Sequence, residues 1–150
     1  MATEHFGYKE VGFKYTTGKR LIMPMEIDQF CAISGMREKV FLSDEVGRTY
    51  GAKGRVVPGV FLPGIALGLL MEIGIIGVKG SFFLGMDKFK VDSSVYPLDT
   101  VTVTGEVLKR KVTSEGDRVV VTYSWLMKNE AGEVVAQAEN TCIFPNPKAG

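Results

Sequence analysis

The sequence is short of the residues on which disulfide scaffolds and histidine-based active sites depend. Its 150 residues include two cysteines, Cys31 and Cys142, and one histidine, His5. Two cysteines are too few for a disulfide framework. One histidine leaves no His-based triad and no histidine pair for zinc within a single chain. Both cysteines lie in apolar segments and are predicted to be core residues rather than nucleophiles. We expect neither a metal nor another cofactor.

An excess of charge of one sign is also lacking, because 18 basic residues stand against 17 acidic ones and the net charge is +1. Such a balance gives no field that would attract nucleic acid or an anionic membrane. The N-terminal residues contain no apolar signal-peptide core. Together with the low cysteine count, this predicts a reducing, cytoplasmic location and neither a nucleic-acid nor a membrane partner.

One long apolar stretch occupies positions 54–78. A membrane-spanning helix needs about 18 to 20 apolar residues without charge, whereas Pro58 and Pro63 interrupt the start of this stretch and Glu72 places a carboxylate in it. We therefore predict a helix that begins near Gly59 and is buried by the protein's own sheet. Pro63 is tolerated because first-turn amides lack intrahelical partners. The glycines of the helix are predicted to let a curved sheet approach closely.

Shorter elements flank this helix. Two of its neighbours are predicted helices, one closed by Gly35 and one capped by Ser43. In chain order the segments before the buried helix are a strand or hairpin at 12–23, a helix at 25–33, a loop at 36–42 and a helix at 43–50. Four strands are predicted after it, at 81–91, 99–111, 118–128 and 133–144.

A buried helix followed by antiparallel strands predicts a sheet that curls around the helix. This α+β arrangement accounts for residues 1–150 as a single domain of ordinary size. A sheet of this kind keeps at least one open edge, and such edges are usually closed by pairing with a second subunit. We expect at least a dimer.

The order of these elements resembles the hot-dog fold, and several spaced motifs resemble its MaoC-like branch, the (R)-specific enoyl-CoA hydratases and dehydratases. The motifs run through nearly the whole chain: DQFCAISGM, SDEVGRTYG, GRVVPGV, LGMDKFKVDSSVYPLDTVTVTGEV and KNEAGEVV. The resemblance implies a MaoC-like hot-dog domain that binds an acyl-CoA or acyl-carrier thioester in fatty acid metabolism.

In that family a carboxylate and an imidazole hold the water that adds to the enoyl group, and a backbone amide at the start of the central helix polarises the thioester carbonyl. The stretch that resembles the family's catalytic loop is SGMREKVF, in which the Asp position carries Met36 and the His position carries Phe41. Neither side chain can transfer a proton. The resemblance therefore implies a substrate site without its catalytic dyad.

The part of the substrate site that is formed by backbone atoms is expected to be retained. Gly59 matches the family's glycine at the helix start and, with Val60, is expected to contact substrate. Met36 and Phe41 are expected to line the same site. Arg55, in the approach to the helix, is expected either to hold a phosphate or to stabilise its own loop.

Two acids are weak catalytic candidates. Glu38 lies in the loop, where it is either a substitute acid or a solvated charge. Glu72 lies about three turns beyond Gly59. Thioesterases of other hot-dog branches have their carboxylate near the beginning of the helix, so Glu72 is expected to be buried or paired at an interface.

Three functions remain open. The favoured interpretation is a non-catalytic or partner subunit of a hydratase, paired with itself or with a catalytic hot-dog paralogue. The second is an active hydratase or thioesterase with a rearranged site at Glu38 or Glu72. The third is a plain acyl-CoA or lipid-binding protein.

Overall fold

The computed structural model describes residues 4–149. Within these residues the fold consists of four α-helices, six strands and two short 3-10 turns. The helices are α1 (Pro24–Ser34), α2 (Lys39–Leu42), α3 (Asp44–Thr49) and α4 (Leu62–Glu72). The strands are β1 (Lys14–Thr16), β2 (Arg20–Leu21), β3 (Phe82–Val91), β4 (Thr100–Val112), β5 (Arg118–Lys128) and β6 (Val134–Pro145), and the 3-10 turns are Phe6–Tyr8 and Gly59–Phe61.

The strands form one antiparallel sheet in the order β1-β4-β5-β6-β3, with β2 also paired to β4. The four long strands confirm the predicted strand segments. Residues 12–23 do not form a hairpin, because β1 and β2 both pair with β4 instead of with each other. Between them, the Thr17 amide donates to the Val103 carbonyl at 2.8 Å, so the chain continues along β4 as one interrupted strand.

Helix α4 is buried by this sheet. Its apolar residues Leu62, Ile65, Ala66, Leu69 and Leu70 are each at most 1% exposed. Their spacing of three and four residues places them on one side of the helix. The facing sheet supplies buried residues mainly from β4, β5 and β6, and β5 alternates regularly between buried and half-buried positions. The predicted wrapped helix is confirmed on this side.

The opposite side of α4 is open. Val60 and Met71 are 55% and 54% exposed, and a Cβ added at Gly64 or Gly68 would meet nothing within 4 Å. The expectation that these glycines admit the sheet is therefore wrong for both positions, because the sheet packs against the larger side chains instead. Glu72, expected to be buried or paired at an interface, is exposed within this chain.

Strand β3 leaves a second apolar surface uncovered. Among the strands of residues 4–149 it is an edge strand, hydrogen-bonded to β6 alone. Phe82, Phe83 and Leu84 are consecutive and all more than half exposed, at 63%, 51% and 56%. Because consecutive strand residues point to opposite faces, both faces of the sheet are uncovered at this end. The predicted open edge is thus present and strongly apolar.

The loops show one further difference from the sequence interpretation. Residues 36–42, predicted as a loop, contain α2, which is too short to show a period in the sequence. The other helix ends follow their caps: Gly35 closes α1 with a φ of 79°, and the Ser43 side chain accepts from the Val46 amide at the start of α3.

Both cysteines are buried. No helix among residues 4–149 has the length and apolarity needed to cross a membrane.

The burial of α4 predicts that Leu69→Ala lowers the free energy of unfolding by about 2 to 5 kcal/mol, because Leu69 is 1% exposed and its removal leaves a cavity. Ile33→Ala is the matched control, since Ile33 is 88% exposed and should change stability by no more than about 0.5 kcal/mol. Denaturant unfolding measures both. Equal effects of the two substitutions would contradict the packing described here.

Candidate functional site

The loop after α1 carries Met36 and Phe41, the two residues predicted to stand at dyad positions. Met36 and Phe41 are half-buried, and Phe41 packs against the hydrophobic core from α2. The Met36 amide donates to the Ser34 hydroxyl at 3.2 Å, which fixes the turn out of α1. Glu38 stands exposed between them at the start of α2. The inner side of this loop is therefore apolar, and its one carboxylate faces solvent.

The start of the central helix lies at Gly59. The turn Gly59–Phe61 runs directly into α4, and the Phe61 amide donates to the Pro58 carbonyl at 3.0 Å. Within residues 4–149, the amides of Gly59 and Val60 donate to no acceptor. Free N–H groups and the helix dipole make such a position favourable for a negatively polarised oxygen. The arrangement suits a carbonyl oxygen without any charged side chain.

Two contacts hold the loop against the helix start. The Val56 amide donates to the Val40 carbonyl at 3.1 Å, next to Phe41 in the chain. The rings of Phe30 and Phe61 stack with their centroids 4.6 Å apart, which packs α1 against the Gly59–Phe61 turn. The apolar loop and the free amides thus lie in neighbouring segments.

Arg55 forms hydrogen bonds with other residues of the same chain. Its guanidinium donates to Asp28 Oδ1 at 2.7 Å and to the Pro24 carbonyl at 3.0 Å, and its side chain is 13% exposed. Its backbone amide donates to Asp44 Oδ1 at 3.0 Å. These bonds tie α1 and α3 to the approach to Gly59, which favours the structural alternative over a phosphate contact.

Glu72 lies apart from this region. It is the last residue of α4 and is exposed. Thirteen residues separate it from Gly59, which corresponds to about 20 Å at 1.5 Å per helical residue. The structure therefore does not bring Glu72 together with Gly59 in one site.

An open cleft of about 1020 Å³ beside Arg55 was not anticipated from the sequence. Lys53 and Tyr96 form one wall, where the Lys53 ammonium lies 5.8 Å from the Tyr96 ring centroid and the Lys53 amide donates to the Tyr96 hydroxyl at 3.2 Å. Glu130 and Glu133 line it from the hairpin between β5 and β6. The only sequence signal for it is the tract 95–100, which resembles the family. A smaller groove of about 430 Å³ runs beside Glu38 and Tyr50.

The described part of the chain contains no cluster of side chains that could bind a metal ion. No group of three or more His, Cys, Asp and Glu side chains there is arranged to hold an ion. Burial raises the pKa of the Cys142 thiol, which suits a core residue better than a nucleophile.

Solved structures of known proteins share this architecture over nearly the whole chain. A monoamine oxidase regulatory protein from Archaeoglobus fulgidus superimposes with a TM-score of 0.85 at 22% identity, covering 97% of each chain. The chain has the hot-dog fold. An (R)-hydratase from A. caviae involved in PHA biosynthesis has a TM-score of 0.75 at 23% identity, covering 90% of this chain and 96% of that one.

The same fold is also found in a complex of two different chains. The C-terminally truncated HadBC (3R-hydroxyacyl-ACP dehydratase) complex from Mycobacterium tuberculosis matches with a TM-score of 0.72 at 17% identity, covering 90% of this chain and 98% of that one. No protein-family model and no curated protein sequence matches the chain. At these identities the similarity shows the fold, and the expected α+β hot-dog architecture is confirmed.

The contacts of Arg55 generate a prediction that separates a structural role from ligand binding. Arg55→Ala should lower the free energy of unfolding by about 1 to 3 kcal/mol, because it removes hydrogen bonds from a mostly buried charged group. In a double-mutant cycle with Asp28→Asn, the coupling should exceed about 0.5 kcal/mol. Arg48→Ala, an exposed arginine in α3, is the control and should stay within about 0.5 kcal/mol. Unchanged stability of Arg55→Ala would contradict the structural role.

Proposed function

We propose that this protein binds an acyl-CoA or acyl-carrier thioester in a MaoC-like hot-dog domain and acts without an acid–base dyad, as a non-catalytic or partner subunit of a cytoplasmic hydratase. The observation that carries the proposal is the pair of free amides at Gly59 and Val60 beside a loop whose dyad positions hold Met36 and Phe41. The solved hydratase and dehydratase structures of the same fold support the ligand class by analogy.

The chemistry of the site is consistent with binding alone. Two backbone donors at a helix start polarise a thioester carbonyl whatever the neighbouring side chains are. Hydration also needs groups that hold the water and move its protons, and such groups typically contribute about a hundred to ten thousand-fold each. Met36 and Phe41 cannot donate or accept a proton. An apolar loop in their place would instead contact the acyl group.

A partner subunit is supported by the uncovered surfaces of the chain. The open side of α4 and both faces of β3 near Phe82–Leu84 are apolar and exposed. A second hot-dog subunit paired at this edge would extend the sheet and remove the exposed strand edge from water. The HadBC complex, a (3R)-hydroxyacyl-ACP dehydratase built from such chains, supports a homodimer or a pairing with a catalytic paralogue.

A rearranged enzyme site has weaker support. Glu38 faces solvent and Glu72 lies about 20 Å along the helix from Gly59. Neither carboxylate has a histidine beside it, since the sequence holds only His5. These positions favour surface roles for both acids.

The missing dyad predicts negligible hydration of crotonyl-CoA by the wild-type protein. The double substitution Met36→Asp with Phe41→His should produce a measurable rate, because it restores an acid and a base at the family's positions. Recovery should be small, since a misplacement of about 1 Å can cost a hundredfold. The matched control is Met36→Asn with Phe41→Gln, which is polar but transfers no proton. Loss of the crotonyl absorbance measures the rates.

One result would overturn this interpretation. It is robust wild-type turnover that is abolished by Glu38→Gln or Glu72→Gln and unaffected at Met36 and Phe41. That outcome would show a working active site built on those acids.

Assembly gives a separate prediction. Sedimentation should show at least a dimer, and Leu84→Lys should shift it toward monomer because a charge is placed on the exposed β3 edge. Val11→Lys, at an apolar residue that is 60% exposed away from β3, should leave the assembly unchanged. A monomeric wild-type protein at micromolar concentration would refute the pairing.

A further inference from the structure

The helix start at Gly59 is in contact with the end of strand β3. A Cβ added at Gly59 would lie 2.9 Å from Val91 Cγ2, and no other atom outside the adjoining residues comes within 4 Å of that position. Gly59 does not need glycine for a left-handed backbone, because its φ is not positive. The absence of a side chain at position 59 therefore permits this close approach.

Val91 is held in place by the backbone around it. The Asp92 amide donates to the Val135 carbonyl and the Val57 amide to the Val95 carbonyl, both at 2.8 Å. The second bond joins the segment after β3 to the segment before Gly59. The β3–β6 register also shifts between Asp87 and Lys90, so an irregularity in the strand precedes Val91. Valine itself has little rotational freedom because it is branched at Cβ.

We propose that Val91 is a specificity-determining residue that forms the side wall of the space in front of the free amides. This assignment rests on the proposed thioester-binding function. Val91 is the nearest side chain to the Cβ direction of Gly59, and it is 44% exposed, so it borders open space rather than filling the core. A thioester whose carbonyl accepts from Gly59 and Val60 has its α-carbon one bond from that carbonyl. The wall then admits a straight chain and disfavours a methyl branch at the α-carbon.

The contact itself is tested without any ligand. Gly59→Ala should lower the melting temperature by several degrees, because the new methyl group meets a stiff side chain. In the Val91→Ala background the same change should cost little, since Cγ2 is gone. Gly64→Ala is the matched control on the same helix, where the added methyl group meets open space. Additive effects of Gly59→Ala and Val91→Ala would overturn the assignment.

The specificity is tested by comparing two thioesters, crotonyl-CoA and its α-methyl-branched homologue tiglyl-CoA, by calorimetric titration. Wild-type protein should bind crotonyl-CoA more tightly. Val91→Ala should improve tiglyl-CoA binding by about tenfold, the usual effect of room for one carbon atom, and change crotonyl-CoA binding far less. Val112→Ala, at a valine of similar exposure at the end of β4, should change neither.

The outcomes separate the two proposals. If crotonyl-CoA binds but Val91→Ala leaves the preference between the ligands unchanged, the role of Val91 is refuted and the binding function stands. If neither thioester binds any variant, the binding function fails and the assignment fails with it.

Discussion

The burial of one side of α4 is the constraint on which the rest of the structure depends. Leu62, Ile65, Leu69 and Leu70 are removed from water by alternate residues of the long strands, which contributes roughly 1.5 to 3 kcal/mol for each fully buried side chain. The same packing fixes where the helix begins. Because Gly59–Phe61 runs directly into α4, the position of the free amides at Gly59 and Val60 does not depend on which side chains stand at positions 36 and 41.

That independence explains how a site can bind a thioester without catalysing its hydration. Under the proposed function, Met36 and Phe41 stand in place of a carboxylate and an imidazole, which removes proton transfer but leaves the helix, its dipole and its first amides unchanged. Phe41 packs on the core instead. Such a protein would keep the geometry for an acyl thioester and lose the means to hydrate it.

Much of the fold follows from local patterns in the sequence. The strand at Arg118–Lys128 and the helix ended by Gly35 are predicted closely because period, turns and caps agree. The helix α2 is missed because four residues show no period. The exposure of Glu72 within the chain does not follow from the sequence, because an apolar sequence does not reveal which side of a helix a sheet leaves open.

The candidate site was less accessible to sequence reasoning. Motif resemblance points to Met36, Phe41 and Gly59, but what holds them together is contact between distant segments. The Val56–Val40 hydrogen bond, the Arg55–Asp28 pair and the approach of Val91 to Gly59 join residues from 16 to 32 positions apart. Local periodicity carries no information about such pairs.

The central claim is that backbone amides at the helix start bind a thioester carbonyl in a site that performs no hydration. The most direct measurement is a titration of ¹⁵N-labelled protein with crotonyl-CoA, followed by NMR with the ligand monitored in the same tube. The account predicts that the amide signals of Gly59 and Val60 shift the most while the crotonyl group stays unhydrated. Unmoved signals at both residues, or the appearance of 3-hydroxybutyryl-CoA, would contradict it.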